Sequence, residues 1–392
     1  MRILLVEPAY RKKSAAMVRG DTNIPDDSLW YPPIGLMKIS RYHKNRQDNV
    51  SFVAGIPDYE KKFSNDDQWD VIYIATVFTF YFKKVVETIN YFKGKGHKIV
   101  VGGILATLMP TDIFVETGIH AIPGLLTSSS LIGFDDDVNI DKLTPDYTIL
   151  FGTNYAVYDT FYSYTTRGCK VGCPWCAVPK LEPTYEPYID IKDQITPLRR
   201  ECGDYSSLKL MDNNILISPR LKDIISDLVE LGYGRGEKTE GGKHRTVDFN
   251  QGVDATYINE ETIELLSQIN IVPLRIAFDR ISEKKVYTKA VELAFLNGLF
   301  FYRTNVTVGK ISLCKFIIDF GIHVGIESLF MKDIMKFTDS AFQTYIVGGI
   351  IKNAIFWPME CIIMFIVLSA LLPVFRSFSL IDDQIMIKIK LF

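Results

Sequence analysis

Short apolar runs that stop abruptly at polar or glycine residues, each followed by a helical stretch, recur along most of this chain. Arg2–Glu7 (RILLVE) ends at Pro8, Val71–Thr76 (VIYIAT) follows later, and Ile99–Val101 runs into Gly102-Gly103. Ile34–Tyr42, after the Pro32-Pro33 break, reads as a helix. So does Tyr81–Phe92, with Val85, Val86, Ile89 and Phe92 on one face. Uninterrupted apolar strands separated by amphipathic helices predict a parallel sheet covered on both faces and wound by right-handed crossovers. The first 125 residues are therefore expected to form an α/β, doubly wound, Rossmann-like sheet.

Residues 126–157 show little periodicity, include Ser128-Ser129-Ser130 and Asp135-Asp136-Asp137, and read as a linker. The alternation then resumes over residues 158–299. Thr160–Thr166 reads as a strand, and Ile191–Cys202 as a helix interrupted at Pro197. Ser207–Met211 is a strand ending in Asp212-Asn213-Asn214, with a helix at Arg220–Leu231 and a glycine- and charge-rich loop to Lys243. Thr246–Asn250 ends at Gln251-Gly252-Val253-Asp254, ahead of a helix Asn259–Gln268 capped by Asn259. Pro273–Phe278 ends at Asp279-Arg280, and Ser282–Ala294 is helical. Repeated strand–helix units whose strands end in polar groups predict a partial βα (TIM-like) barrel with its active face at the carboxyl ends. Asp212, Asn213, Gln251, Asp254, Arg275 and Asp279 are then the residues of the mouth.

The first of these strands leads into Cys169-Lys170-Val171-Gly172-Cys173-Pro174-Trp175-Cys176, a C-x3-C-x2-C run. Three thiolates can hold three corners of a 4Fe–4S cubane and leave the fourth iron open to a small molecule, unlike a ferredoxin site closed by four cysteines. Structural zinc is the main competitor, and it takes four ligands. Cys202, Cys314 and Cys361 lie far away in sequence and form no second pair at metal-ligand spacing. A disulfide framework suits short secreted chains. Here Met1-Arg2 leads straight into a strand, which reads as no secretory leader, and free thiols fit a reducing cytoplasm.

The run from Tyr164 to Lys180 resembles the cluster loop of radical S-adenosylmethionine enzymes, in cysteine spacing and in the aromatic Trp175 before the last cysteine. The segments Ala177–Pro183, Asp212–Leu216 and Phe249–Asp254 add to the likeness. The resemblance implies that Cys169, Cys173 and Cys176 bind a 4Fe–4S cluster whose open iron takes S-adenosylmethionine. It implies reductive cleavage to a 5′-deoxyadenosyl radical, hydrogen abstraction from a substrate, and an electron donor such as flavodoxin or ferredoxin. It also implies that Asp212 and Asn213 meet the amino group of S-adenosylmethionine; Gln251 and Asp254, ending the next strand, are candidates for ribose or substrate, and Arg275, which alternates with apolar residues, is a candidate for a two-pronged grip on the ligand carboxylate. The competing readings are an Asx turn for Asp212 and Asn214, and a structural ion pair of Arg275 with Asp279 or Asp254.

The amino-terminal half resembles the cobalamin-binding-type domain that precedes many such barrels, through RILLVEP, Tyr31-Pro32-Pro33-Ile34-Gly35-Leu36 and Val101-Gly102-Gly103. His43, His97 and His120 do not sit in an Asp-x-His-x-x-Gly pattern, so a histidine-ligated cobalamin is not expected. Methyl transfer, methylthio transfer and carbon-skeleton chemistry stay open, as does a cobalamin-dependent radical methyltransferase. A net charge of −2 gives no global basic field and no signal for nucleic acid.

The pattern fades after Phe295. A fifth strand is expected at 300–308, and residues 354–375 form an apolar run broken by Pro358, Glu360 and Pro373. Residues 300–392 are read in three ways: a membrane anchor, a completion of the barrel, or the product of a frameshift near residue 296. The last makes the chain a non-catalytic remnant with an incomplete barrel, and the first adds membrane association to a cytoplasmic protein.

Overall fold

The computed structural model describes residues 1–10, 31–153, 155 and 159–299. Everything that follows up to Leu293 belongs to one compact unit, Met1–Leu293. The expected strand at 300–308 and the apolar run 354–375 lie outside the described residues. Among the described residues, no helix is long and apolar enough to cross a membrane.

The chain is α/β with parallel sheets. The first sheet contains β1 (Arg2–Glu7), β2 (Asn49–Ala54), β3 (Trp69–Thr76) and β4 (Gly96–Gly103), in the order β2-β1-β3-β4, all parallel. Its interior strands are apolar on both faces because both are covered. Ile3, Leu4, Leu5 and Val6 are fully buried, as are Ile72 and Val101. Helix Phe82–Phe92 packs Val85, Ile89 and Phe92 into the same core. The chain leaves β1 for one edge and returns across it to β3. The crevice at the carboxyl ends of β1 and β3 is thus a topological switch point, where open α/β sheets place ligands.

The second sheet is β5 (Thr160–Ser163), β6 (Ser207–Leu210) and β7 (Thr246–Phe249), parallel and in sequence order. Helices Ile191–Cys202, Leu221–Leu228 and Glu260–Ser267 follow these strands in turn. A parallel bridge from Val247 to Ile271 continues the strand sense, as does the short parallel pair β8 (Val253–Asp254) and β9 (Ile276–Ala277). Successive side chains alternate between faces. One face carries Phe161, Leu208, Leu210, Val247 and Phe249, all buried. The other carries Tyr162, Lys209 and Asp248 side by side in register.

Some local expectations need correction. β2 and the helix Ile56–Lys62 carry too little apolar periodicity to stand out, because β2 is an edge strand with only Phe52 and Val53 buried. β5 stops at Ser163, three residues before the expected end, because Thr165 and Thr166 turn their donors to Asp212. Helix Ile191–Cys202 continues through Pro197 without a break, with Ile195 and Leu198 on either side of the proline buried. Asn259 caps Glu260–Ser267 as expected, in a reciprocal capping box with Thr262.

Residues 126–153 hold only short 3-10 turns, at Ser129–Ile132, Ile140–Lys142 and Tyr147–Leu150, yet they are firmly packed. Ile132, Ile140, Tyr147 and Leu150 are buried. Polar contacts fasten the segment to helix Ile34–Asn45: Ser40 Oγ donates to Asp146 at 2.6 Å, Tyr42 donates to Asp136 at 2.9 Å, and the Asp146 amide donates to Met37 at 3.1 Å.

Candidate functional site

The thiol run projects from the carboxyl end of β5 as a loop with a closed neck. At the neck, the Arg167 amide donates to Glu186 O at 3.0 Å and the Glu186 amide returns to Arg167 O at 2.9 Å. Next comes Gly168, at φ +69°, where an added Cβ would meet Thr184 O at 2.7 Å. Only glycine fits a position that is both left-handed and this crowded. Gly172, at φ +65°, turns the chain between the first two cysteines.

Beneath the loop lies Asp212, at the carboxyl end of β6. Its Oδ1 accepts from Thr165 N at 2.9 Å, Thr165 Oγ1 at 2.8 Å, Thr166 Oγ1 at 2.7 Å, and also the Thr166 amide. The side chain is 5% exposed. Burial pushes its carboxyl above the usual range, against the pull of those donors. Its Oδ2 is buried without a hydrogen-bond partner among the described residues. Asp212 therefore does not open onto the mouth as the sequence suggested; it braces the strand end from which the thiols hang.

Cys169 and Cys173 are partly buried, Cys176 is exposed, and all are free. The Cys176 amide donates to Cys173 O at 3.0 Å, and the Val178 amide points at Cys176 Sγ at 3.5 Å. Burial raises the Cys169 thiol above its ordinary value; the Val171 amide opposes this, while Cys176, Cys173 and Asp254 lie close enough to raise it further. Among the described residues, no three His, Cys, Asp or Glu side chains are drawn together as tightly as the ligands of one ion. The donor set itself fits a soft metal: three free thiols on one loop, two of them within electrostatic reach of the third.

The remaining candidates are spread around this loop. Asn213 Nδ2 donates to Glu182 at 2.8 Å. Asn214 is buried and precedes the turn Ile215–Ile217, but its side chain does not cap that turn. Gln251 is exposed. Asp254 caps the turn Ala255–Tyr257, accepting Thr256 N at 2.9 Å and Thr256 Oγ1 at 2.7 Å. Asp279 is exposed. Arg275 is in an ion pair, but with Asp248 of β7 rather than with Asp279 or Asp254, through both terminal guanidinium nitrogens, Nη1 and Nη2. Lys209 Nζ approaches the same carboxylate at 3.6 Å. Lys209 and Asp248 were not singled out from the sequence. The signal was present in the alternation of Ser-Leu-Lys-Leu and Thr-Val-Asp-Phe, which puts one polar row on one face.

Between the carboxyl ends of the two sheets lies a cavity of about 330 Å³. Ile74, Gly102 and Gly103 line it from the first sheet, and Tyr164, Asn213 and Gln251 from the region of the second. Its walls are largely apolar, with Lys38, Asp141, Arg167 and Glu182 at a polar end. Burial lowers Lys38 to about 8 against the restoring pull of Asp141. Burial opposes charge on Asp141 too, but Lys38 and Arg167 together hold that carboxyl below its usual value. No histidine lines the cavity among the described residues. His43 is buried elsewhere between Asp48 (2.7 Å) and Tyr73 OH (2.9 Å).

No family model and no curated protein matches the chain.

Proposed function

We propose that this chain is an iron–sulfur protein of the radical S-adenosylmethionine type, with Cys169, Cys173 and Cys176 as the ligands of a 4Fe–4S cluster. The observation that carries this reading is the set of three free thiols on a single braced loop at the carboxyl end of a parallel strand. A cluster with one open iron supplies, when bound, a single electron to the sulfonium of S-adenosylmethionine, delivered to it by a reductant such as flavodoxin or ferredoxin. The chain's residues supply placement. Asp212 fixes the strand end, Gly172 turns the loop, and Asn213 and Gln251 offer amides to a ligand in the neighbouring cavity. Arg275 is committed to Asp248, so a carboxylate gripped by Arg275 must compete with that pair. In this reading the three-stranded sheet and the β8–β9 pair are the first units of a partial βα barrel.

Anaerobic reconstitution tests the proposal. About four iron and four sulfide per chain are expected, with 5′-deoxyadenosine formed from S-adenosylmethionine on reduction. Replacing any one of Cys169, Cys173 or Cys176 by Ala should abolish both. One tightly bound zinc and no iron would overturn the reading.

A second reading, a cobalamin-dependent radical methyltransferase, is favoured by one observation: the cavity is walled by the carboxyl ends of β3 and β4, against Gly102 and Gly103. Cobalamin co-purifying with the protein, without histidine ligation in its spectrum, supports it. Protein expressed with cobalamin present and isolated without it removes it.

A further inference from the structure

Beyond the thiols themselves, the geometry points to Glu182 as the residue that positions the thiol loop. Besides the paired backbone bonds of Arg167 and Glu186, one carboxylate ties the two sides of the loop neck to each other and to the end of β6. Glu182 Oε2 accepts the Gly168 amide at 2.7 Å, on the residue just before Cys169, across 14 residues of chain. The same oxygen accepts Asn213 Nδ2 at 2.8 Å, from the carboxyl end of β6. Oε1 accepts Arg167 Nη1 at 2.9 Å. Glu182 directly follows Val178–Leu181, the short helix that ends the loop, so its side chain closes the loop from the far side.

The clamp is anchored from behind. Arg167, 7% exposed at its side chain, lies over the Tyr164 ring at 3.5 Å and donates from Nε to Asp141 Oδ2 at 3.0 Å. Asp141 in turn meets Lys38 at 3.2 Å, on helix Ile34–Asn45. A chain of alternating charges therefore runs from the helix Ile34–Asn45 through Asp141 and Arg167 to Glu182 and the amide before Cys169. Hydrogen bonds to ionised groups are about twice as strong as neutral ones, and buried ones are costly to leave unmade. Removing Glu182 leaves Arg167 still paired with Asp141, so the loss falls mainly on the loop neck and not on the fold.

The clamp rests on the iron–sulfur reading only for what the loop holds; loop closure is a property of the apo chain and is tested there. In the full-length apo protein, iodoacetamide labelling of Cys169 is followed by mass spectrometry, with Cys202 in the same molecule as the internal reference. Cys202 is partly buried at the end of helix Ile191–Cys202, outside the loop. Thiol reactivity follows access. Glu182→Ala should raise the Cys169 rate at least tenfold and leave Cys202 unchanged. Glu182→Gln keeps an acceptor oxygen and loses the charge, and should raise it about threefold. Glu186→Gln, which loses only an exposed ion pair to Lys142, should not change it.

If Glu182→Ala does not fold, Glu182→Gln decides. Equal Cys169 rates in wild type and the folded variants overturn the assignment. So does acceleration of Cys169 and Cys202 together, which marks general loosening. The outcome is separable from that of the cluster proposal. Protein that takes up no iron but shows the labelling pattern keeps the clamp and loses the cluster. Protein that loads iron but shows a flat pattern keeps the cluster and loses the clamp.

Discussion

The two sheets are built from the same strand–helix alternation and differ in what their strands carry. In the first sheet, β1 and β3 bury apolar residues on both faces, and the polar residues are confined to the strand ends. In the second, each short strand gives one apolar face to the core and sets a polar row, Tyr162, Lys209 and Asp248, on the other. Lys209 and Asp248 are only 8% and 9% exposed. A buried polar row costs free energy unless its members are paired. Asp248 pairs with both Arg275 and Lys209, and Lys209 also lies over the Tyr31 and Tyr162 rings, while the thiols, Asn213 and Gln251 gather at the strand ends nearby. The first sheet is a platform; the second is organised around groups that a core alone does not need.

Glu7, a buried carboxyl at the very end of β1, tests this contrast most sharply. It ends β1 at 6% exposure, and burial pushes its carboxyl from an ordinary value near 4.5 up to about 8. A carboxyl raised in the folded state keeps its proton there after the unfolded chain has released its own. Its contribution is therefore full below about pH 4.5 and is lost progressively as pH rises to about 8. Urea denaturation of wild type should show stability falling by a few kcal/mol across that window. Glu7→Gln should flatten the fall, matching wild type at pH 4.5 and exceeding it at pH 8. If wild type is equally stable at both ends, Glu7 is not held neutral by the first sheet.

Asp212 tests the other side. Its Oδ1 satisfies four donors of Thr165 and Thr166, and truncation leaves all of them in a buried place. Asp212→Ala should destabilise the unit by about 3 kcal/mol and speed Cys169 labelling. It should also lower iron content on reconstitution, because the strand end no longer fixes the loop. A variant that loads iron fully but binds S-adenosylmethionine poorly would return Asp212 to the ligand-contact role that its sequence position first suggested.

What could be read from the sequence follows the same division. Continuous apolar runs such as RILLVE and VIYIAT are visible because burial on both faces leaves no room for polar residues, and they marked β1 and β3 correctly. β2 escaped because an edge strand is only partly covered. The packing of residues 126–153 escaped because it depends on side-chain contacts from Asp136, Asp141 and Asp146 to a helix about a hundred positions earlier, and no local period encodes these. The thiol spacing was legible as a unit, since all three cysteines sit on one loop. Glu182 was not, because its importance comes from meeting Gly168 and Asn213 in space.

The smallest expected effect separates the two readings of Arg275. Its side chain is 38% exposed and pairs with Asp248, whose own side chain is 12% exposed. Solvent screening keeps a pair of this kind near 1 kcal/mol. A double-mutant cycle with Arg275→Ala and Asp248→Ala should therefore give a coupling energy of about 1 kcal/mol. Lys209 complicates the single variants, because Arg275→Ala leaves Asp248 within 3.6 Å of Lys209 and so keeps part of its charge compensation. If S-adenosylmethionine also uses Arg275, its affinity should fall roughly tenfold or more in Arg275→Ala, as for a lost charge-assisted contact. The same affinity should then rise in Asp248→Ala, which releases the guanidinium. Affinity unchanged in both variants, with the coupling intact, makes the pair purely structural. The polar row of the second sheet would then be self-sufficient at this point, and its ligand-facing part would end at the strand tips.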